Sequence, residues 1–134
     1  MSAVRLAVVG TRVLACSGDR HRAARRVFQA IRRLRPEVVI SGGAEGVDAI
    51  AEMVAISEGY GGRRLLIHRP TTRAFHGPGG YRERDALIAA ECTHLLRIAC
   101  VKAKTYGSGW TADEAERLGR TVVRVQACPP ARAG

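Results

Sequence analysis

The chain has 134 residues, a hydrophobic fraction of 46% and a formal net charge of +10, from 22 Lys+Arg against 12 Asp+Glu. That length suits one folded domain able to bury a core without staples, and no apolar stretch approaches the ~20 residues of a membrane span. The basic balance favours polyanionic partners such as nucleotide phosphates or nucleic acid, although an Arg- and Ala-rich chain also arises from a GC-rich genome.

One Trp, three Tyr and two Phe leave the core to Val, Ile, Leu and Ala. Of the four cysteines, Cys16, Cys92, Cys100 and Cys128, no pair has C-x-x-C spacing, so no zinc site is expected. Cys92 and Cys100 lie in apolar surroundings, as buried thiols do. Met1 to Val9 enters a strand directly, which predicts no signal peptide and a reduced, cytoplasmic location.

In chain order, strand and helix signals alternate. Arg5 to Val9 is an aliphatic strand ending at Gly10-Thr11-Arg12. Arg20 to Leu34 carries Val27, Ile31 and Leu34 at helical spacing, and Pro36 breaks the chain. Val38-Val39-Ile40 is a continuous apolar run, as in a strand buried on both faces. Val47 to Ser57 is helical and stops near Gly59, Arg64 to His68 is a third strand, and 69–80 is a long Pro/Gly/Thr loop. Tyr81 to Glu91 is helical and His94 to Ile98 a strand, with a second long loop over 99–109. Thr111 to Leu118 is helical, with Thr111 and Glu114 spaced as a capping box, and Thr121 to Val125 is the last strand. Residues 1–127 are expected to form the domain and 128–134 a disordered tail.

This order predicts an α/β fold: a Rossmann-like three-layer sandwich with a five-stranded parallel sheet and helices on both faces. Ligands bind such sheets at the carboxyl ends of the strands, near the switch in strand order. Two Gly-rich strand-to-helix turns converge there, Ser41-Gly42-Gly43-Ala44-Glu45-Gly46 and Gly107-Ser108-Gly109-Trp110-Thr111. Unpaired N–H groups and the helix dipole make such turns anion cradles.

Four motifs in order resemble the SLOG superfamily, the Rossmann-like group that unites the DNA-processing protein A core with the Lonely-guy phosphoribohydrolases. Gly10-Thr11-Arg12 resembles its first-strand G-S-R turn, and Ser41 to Asp48 resembles S-G-x-A-x-G-x-D. Arg84-Asp85, followed by Ile88, Cys92, Leu95 and Leu96, resembles the R-N helix before strand four. Gly107-Ser108-x-x-Thr111-Ala112-x-x-Ala115, then Gly119-Arg120-x-Val122, resembles the last motif of the DNA-processing proteins. The resemblance spans roughly residues 4–125 and implies a small stand-alone member. Asp85 replaces the usual Asn, Trp110 replaces the Gly of the hydrolase motif P-G-G-x-G-T-x-x-E, and that motif's proline and paired glycines are missing. Arg84 matches the position of the hydrolases' catalytic arginine, and relatives commonly dimerise.

The candidate ligand and phosphate contacts are Gly10, Thr11, Arg12, Ser41, Gly42, Gly43, Gly46, Asp48, Arg84, Gly107, Ser108, Gly109, Trp110 and Thr111. Asp48 serves equally as an early-helix carboxylate or a ribose-hydroxyl partner. Arg82 and Arg84 diverge by about 200° on a helix, and the motif favours Arg84 for the site, as a phosphate clamp or as a surface ion-pair partner of Glu83 or Asp85. Trp110 stacks a base or covers a surface. Lys102 and Lys104 precede the second cradle, and the 69–80 loop with His76 and Tyr81 borders the rim as a lid. Arg22, Arg25, Arg26, Arg32 and Arg33 form a stripe on the first helix, either solvated or facing nucleic acid.

Three functions stand open. The first is non-catalytic binding or sensing of a nucleotide or nucleotide-derived ligand. The second is single-stranded DNA binding like the DNA-processing protein core. The third is an N-glycosidic hydrolase of nucleoside 5'-monophosphates, with Arg84 and Glu114 as its catalytic groups. No metal or resident cofactor is expected; the partners expected are a nucleotide, nucleic acid or a second copy of the chain, with no membrane.

Overall fold

A computed structural model describes residues 3–103 and 107–129. The elements follow the expected order: β1 (Arg5–Gly10), α1 (Asp19–Leu34), β2 (Val38–Ser41), α2 (Val47–Ser57), β3 (Leu65–Ile67), α3 (Tyr81–Glu91), β4 (His94–Ala99), α4 (Gly107–Arg117) and β5 (Thr121–Gln126). The strands form one parallel sheet in the order β3-β2-β1-β4-β5. The chain winds outward from β1 to β3, then crosses to β4 and β5. The order therefore reverses between β1 and β4, where a crevice opens at the strands' carboxyl ends.

Both faces of β1 are buried, which is why its sequence does not alternate. Leu6 and Val8 pack with Val27 and Ile31 of α1 and with Val47, Ile50 and Ala51 of α2. Ala7 and Val9 point the other way, to Ile88 and Ala89 of α3 and Ala112 and Ala115 of α4. Burying one Val or Ile of this kind contributes roughly 1.5–3 kcal/mol, so the two aliphatic clusters hold the three layers together. Of the two edge strands, β3 is half-buried and β5 the more open, with Val123 45% exposed. Among the described residues no helix is long and apolar enough to cross a membrane.

Three boundaries differ from the sequence reading. Helix α4 begins at Gly107, not Thr111. Thr111 lies one turn inside it and its hydroxyl donates to the Gly107 carbonyl at 2.8 Å, so Thr111 is not the N-cap. The capping box therefore does not form, and Glu114 instead pairs with Arg117. Strand β3 is shorter than expected because Arg64 belongs to a 3-10 turn, Gly62–Arg64. Cys128, expected in the tail, is buried: the Ala127 N–H donates to Ala99 at 2.9 Å and the Val101 N–H to the Cys128 sulfur at 3.3 Å. The rest of that tail, 130–134, lies outside the described residues, as does Lys104.

The turns after β1 and β2 are pressed together. The Val47 N–H donates to the Thr11 carbonyl at 3.1 Å. Gly46, at φ +72, sits against the Thr11 and Arg12 carbonyls, where a Cβ would collide with both. Its backbone conformation and its neighbours thus both require glycine. Gly46→Ala should cost at least about 2 kcal/mol in urea denaturation, seen as a lower midpoint at unchanged slope.

Candidate functional site

A cleft of about 340 Å³ opens at the β1/β4 switch point. Gly10, Arg12 and Val13 line it from the end of β1, and Gly42, Ala44 and Asp48 from the turn into α2. Tyr81, Arg84, Asp85 and Ile88 of α3 form another wall, with Gly107, Ser108 and Thr111 of α4 opposite. Phe75 and Ala103 complete the lining.

The centre of the cleft is a charge cluster. Arg84 donates Nε to Asp85 Oδ1 at 2.6 Å and Nη1 to the Gly42 carbonyl, and its guanidinium lies 5.5 Å from the Tyr81 ring centroid. Asp85 is 4% exposed and Asp48 5%. Asp48 Oδ2 accepts the Ala44 N–H at 3.1 Å. Burial pushes the Asp48 carboxyl up to about 6, against the pull of the Ala44 N–H and of Arg84. Burial also raises Asp85, with Arg84 beside it acting the other way. Two desolvated carboxylates thus share one guanidinium.

Asp85 Oδ2 is buried with no hydrogen-bond partner, and it lies near Gly107 at the start of α4. The Thr111 hydroxyl gives its proton to Gly107; turned toward Asp85 instead, it favours the charged carboxylate. Gly107 and Ser108, in the first turn of α4, line the same space, and the first N–H groups of a helix find no carbonyl within it. Helix α3 offers no such cradle: the Tyr81 and Arg82 N–H groups are taken by the Ala74 and Phe75 carbonyls, at 2.9 Å each.

The expected contacts divide into those at the cleft and those that build it. Gly10, Arg12, Gly42, Asp48, Arg84, Gly107, Ser108 and Thr111 line the cleft. Arg12 is exposed, its guanidinium 4.9 Å from the Tyr81 centroid. Thr11 is fully buried; its hydroxyl donates to Val13 O at 3.0 Å and accepts the Cys100 N–H at 3.3 Å, so it is a strut and not a ligand contact. Ser41 is likewise turned inward, donating to Glu52 at 2.6 Å and accepting the Gly43 N–H at 3.2 Å. Gly43 and Gly46 are conformational, at φ +71 and +72. The Ser108 hydroxyl accepts from Arg97 at 3.1 Å, and Gly109 faces the same guanidinium.

Trp110 and Glu114 are outside the cleft lining. Trp110 meets Phe75 edge-on at 6.4 Å and has Arg82 5.7 Å from its centroid, so it braces the 69–80 loop. That loop is compact, with the Thr71 and Thr72 N–H groups both donating to Gly79 O. His76 is exposed and meets Phe75 edge-on at 5.0 Å. Glu114 is held by Arg117, which keeps its carboxyl below the usual range. Asp85, not among the expected contacts, also lines the cleft; its place beside Arg84 in the motif was the available signal. Side chains of metal-ligating type, which spacing did not predict to converge, come together elsewhere: Cys16, Asp19, Cys100 and Cys128 place one donor atom each within 4.8 Å of the others.

The family model of DNA recombination-mediator protein A matches residues 1–65. The structure is similar to that of DNA processing protein A from Streptococcus pneumoniae, with a TM-score of 0.67 and 23% identity, over 96% of this chain and 51% of that one. It is also similar to the molybdenum cofactor binding protein of Rippkaea orientalis, with a TM-score of 0.62 and 15% identity, over 94% and 78% of the two chains. The chain thus spans about half the length of the DNA processing protein it resembles. No curated protein sequence matches it. The expected Rossmann-like fold is borne out, and the expected resemblance to the DNA-processing protein A core is borne out over residues 1–65.

The raised Asp48 carboxyl has a consequence for stability. Its folded value, about 6, lies above the unfolded one, so its contribution is complete below pH ~4 and is lost as pH rises through about 6. Asp48→Asn does not titrate. The stability of the wild type relative to this variant should fall by on the order of 2–3 kcal/mol between pH 4 and 7, measured by urea denaturation at each pH.

Proposed function

We propose that the switch-point cleft binds a nucleotide or nucleotide-derived ligand without turning it over, as a sensor would. The observation that carries this reading is Asp85 Oδ2, buried in the cleft with no hydrogen-bond partner while the Thr111 hydroxyl serves Gly107. A ligand that brings a hydroxyl or amino group there removes the cost of an unmatched buried carboxylate. Ribose hydroxyls and base amino groups are such donors. Asp48 and Asp85 repel a phosphate from the floor of the cleft, so the phosphate belongs at its mouth, with exposed Arg12 and the first turn of α4.

The hydrolase reading loses its carboxylate, because Glu114 is engaged by Arg117 away from the cleft lining. Asp48 and Asp85 are the acids a hydrolase would have to use, and analysis of products after incubation with AMP separates binding from turnover. We place the chain in the cytoplasm, where thiols stay reduced, and assign self-association to the open β5 edge. Light scattering tests the latter.

AMP should raise the melting temperature at both low and moderate salt, and adenosine should do so more weakly. Asp85→Ala should weaken both at least tenfold, or about 1.4 kcal/mol, in calorimetric titration. Arg12→Ala should weaken AMP alone. Unchanged affinity in Asp85→Ala, or no response to any nucleoside-containing ligand, sinks the reading.

Single-stranded DNA binding is the second reading. The net charge of +10, the match to a DNA recombination-mediator family and exposed Arg25, Arg26 and Arg33 on α1 support it. Arg22 and Arg32 are otherwise engaged, with Asp19, Ser17 and Ala127 and with Glu58 respectively. A paired Arg25→Ala, Arg26→Ala variant should bind an oligonucleotide more weakly, and its salt slope should fall by about 1–2 in fluorescence anisotropy. An unaltered slope removes α1 from the interface.

A further inference from the structure

Beyond the cleft, a second cluster sits at the carboxyl rim of the sheet. Cys16 comes from the β1–α1 loop, Asp19 from the first turn of α1, Cys100 from the end of β4 and Cys128 from just after β5. The sulfur of Cys128 lies 3.5 Å from those of both Cys16 and Cys100, and these two are 3.9 Å apart. Asp19 Oδ2 is 3.8 Å from the Cys128 sulfur. All four cysteines of the chain are free thiols.

These separations have a specific chemical meaning. A zinc ion at ~2.3 Å from each of three sulfurs in a tetrahedron sets them about 3.8 Å apart, close to what is seen. A carboxylate oxygen at about 2.0–2.2 Å fills the fourth corner. Three sulfurs and one oxygen, all within 4.8 Å of one another, therefore outline the shell of a single small ion. The surrounding bonds orient the ligands as an outer shell does. Arg22 holds Asp19 Oδ1 at 3.2 Å and leaves Oδ2 turned to the sulfurs. The Cys16 N–H donates to Asp19 Oδ2 at 3.0 Å, and the Val101 N–H to the Cys128 sulfur at 3.3 Å. Three thiolates and a carboxylate exceed the charge of one divalent cation, and these donors with the Arg22 guanidinium offset the excess.

We infer that Cys16, Asp19, Cys100 and Cys128 form a structural zinc site that ties the β1–α1 loop and the segment after β5 to the end of β4. All four positions are filled by the protein, so the site is closed and not catalytic. Binding releases the thiol protons to solvent. This inference does not rest on the nucleotide reading.

The full chain, purified under reducing conditions without chelator, should contain one zinc per molecule by elemental analysis. After chelator treatment, cobalt(II) alone should produce a thiolate-to-cobalt charge-transfer band and tetrahedral d–d bands. Cys16→Ser, Cys100→Ser and Cys128→Ser should each weaken zinc binding at least tenfold, and Cys92→Ser should retain full zinc. The cobalt spectrum of the wild type decides the question even where a variant fails to fold. Absence of both zinc and the charge-transfer band overturns the proposal, as does full zinc retention in Cys128→Ser. So does a disulfide between two of the three thiols in freshly purified protein, which would make them a redox pair.

Discussion

Thr11 is the residue through which the switch point is held. Its N–H donates to the Ile98 carbonyl and its carbonyl accepts the Val47 N–H, both at 3.1 Å. Its hydroxyl donates to Val13 and accepts from Cys100. One buried residue thus joins the end of β1 to the end of β4 and to the start of α2. Parallel strands diverge where the order reverses, and backbone groups there lose their ladder partners. Thr11 supplies partners at that point. The cleft opens beside it because the divergence is bridged at this one residue and left open above it.

The cleft's electrostatics follow from where helices begin. Asp48 stands in the first turn of α2 and Asp85 lies at the start of α4, positions where the dipole favours negative charge. Both positions are buried, so each carboxylate gains from the dipole and loses by desolvation. For Asp48 burial wins, as its raised value shows. Arg84 is drawn between the carboxylates and Gly42, which takes up donors that a phosphate would otherwise have used. Glycine-rich turns that look like anion cradles in isolation therefore surround a floor already supplied with anions. On the proposed reading an incoming phosphate is therefore met outward, at Arg12 and the first turn of α4.

Strands β1, β2 and β4 were legible because they are buried on two faces, and an uninterrupted aliphatic run is the signature of that burial. Helix α1 was legible because Ala23, Val27 and Ile31 recur on one face above a charged remainder. The start of α4 was not. Gly107, Ser108 and Gly109 are poor helix formers, so local propensity places the boundary after them. Packing of Ala112 and Ala115 under the sheet carries the helix back through them. Ser41 and Thr11 carry the residue types of phosphate ligands, yet their hydroxyls serve Glu52, Val13 and Cys100. Spacing reports which residue types stand in a turn; the direction of a hydroxyl is set by neighbours from distant segments. The thiol cluster was hidden for the same reason. Cys16 and Cys128 are separated by 112 positions, and only the parallel sheet brings their segments to one rim.

The cleft and the thiol cluster share both loops at the switch point. The β1–α1 loop carries Arg12 and Val13 to the cleft before it reaches Cys16 and Asp19. The chain leaving β4 passes Cys100 and then lines the cleft at Ala103. Thr11 joins the two loops through the Cys100 N–H. The ligand contact proposed at Arg12 is thus only a few residues from Cys16 and Asp19, where four side chains converge. Fixing that end of the loop reduces the entropy lost when Arg12 is ordered against an anion. None of the four cluster residues lines the cleft, so on the zinc reading the ion would hold the loop that carries Arg12 to the mouth without occupying the site.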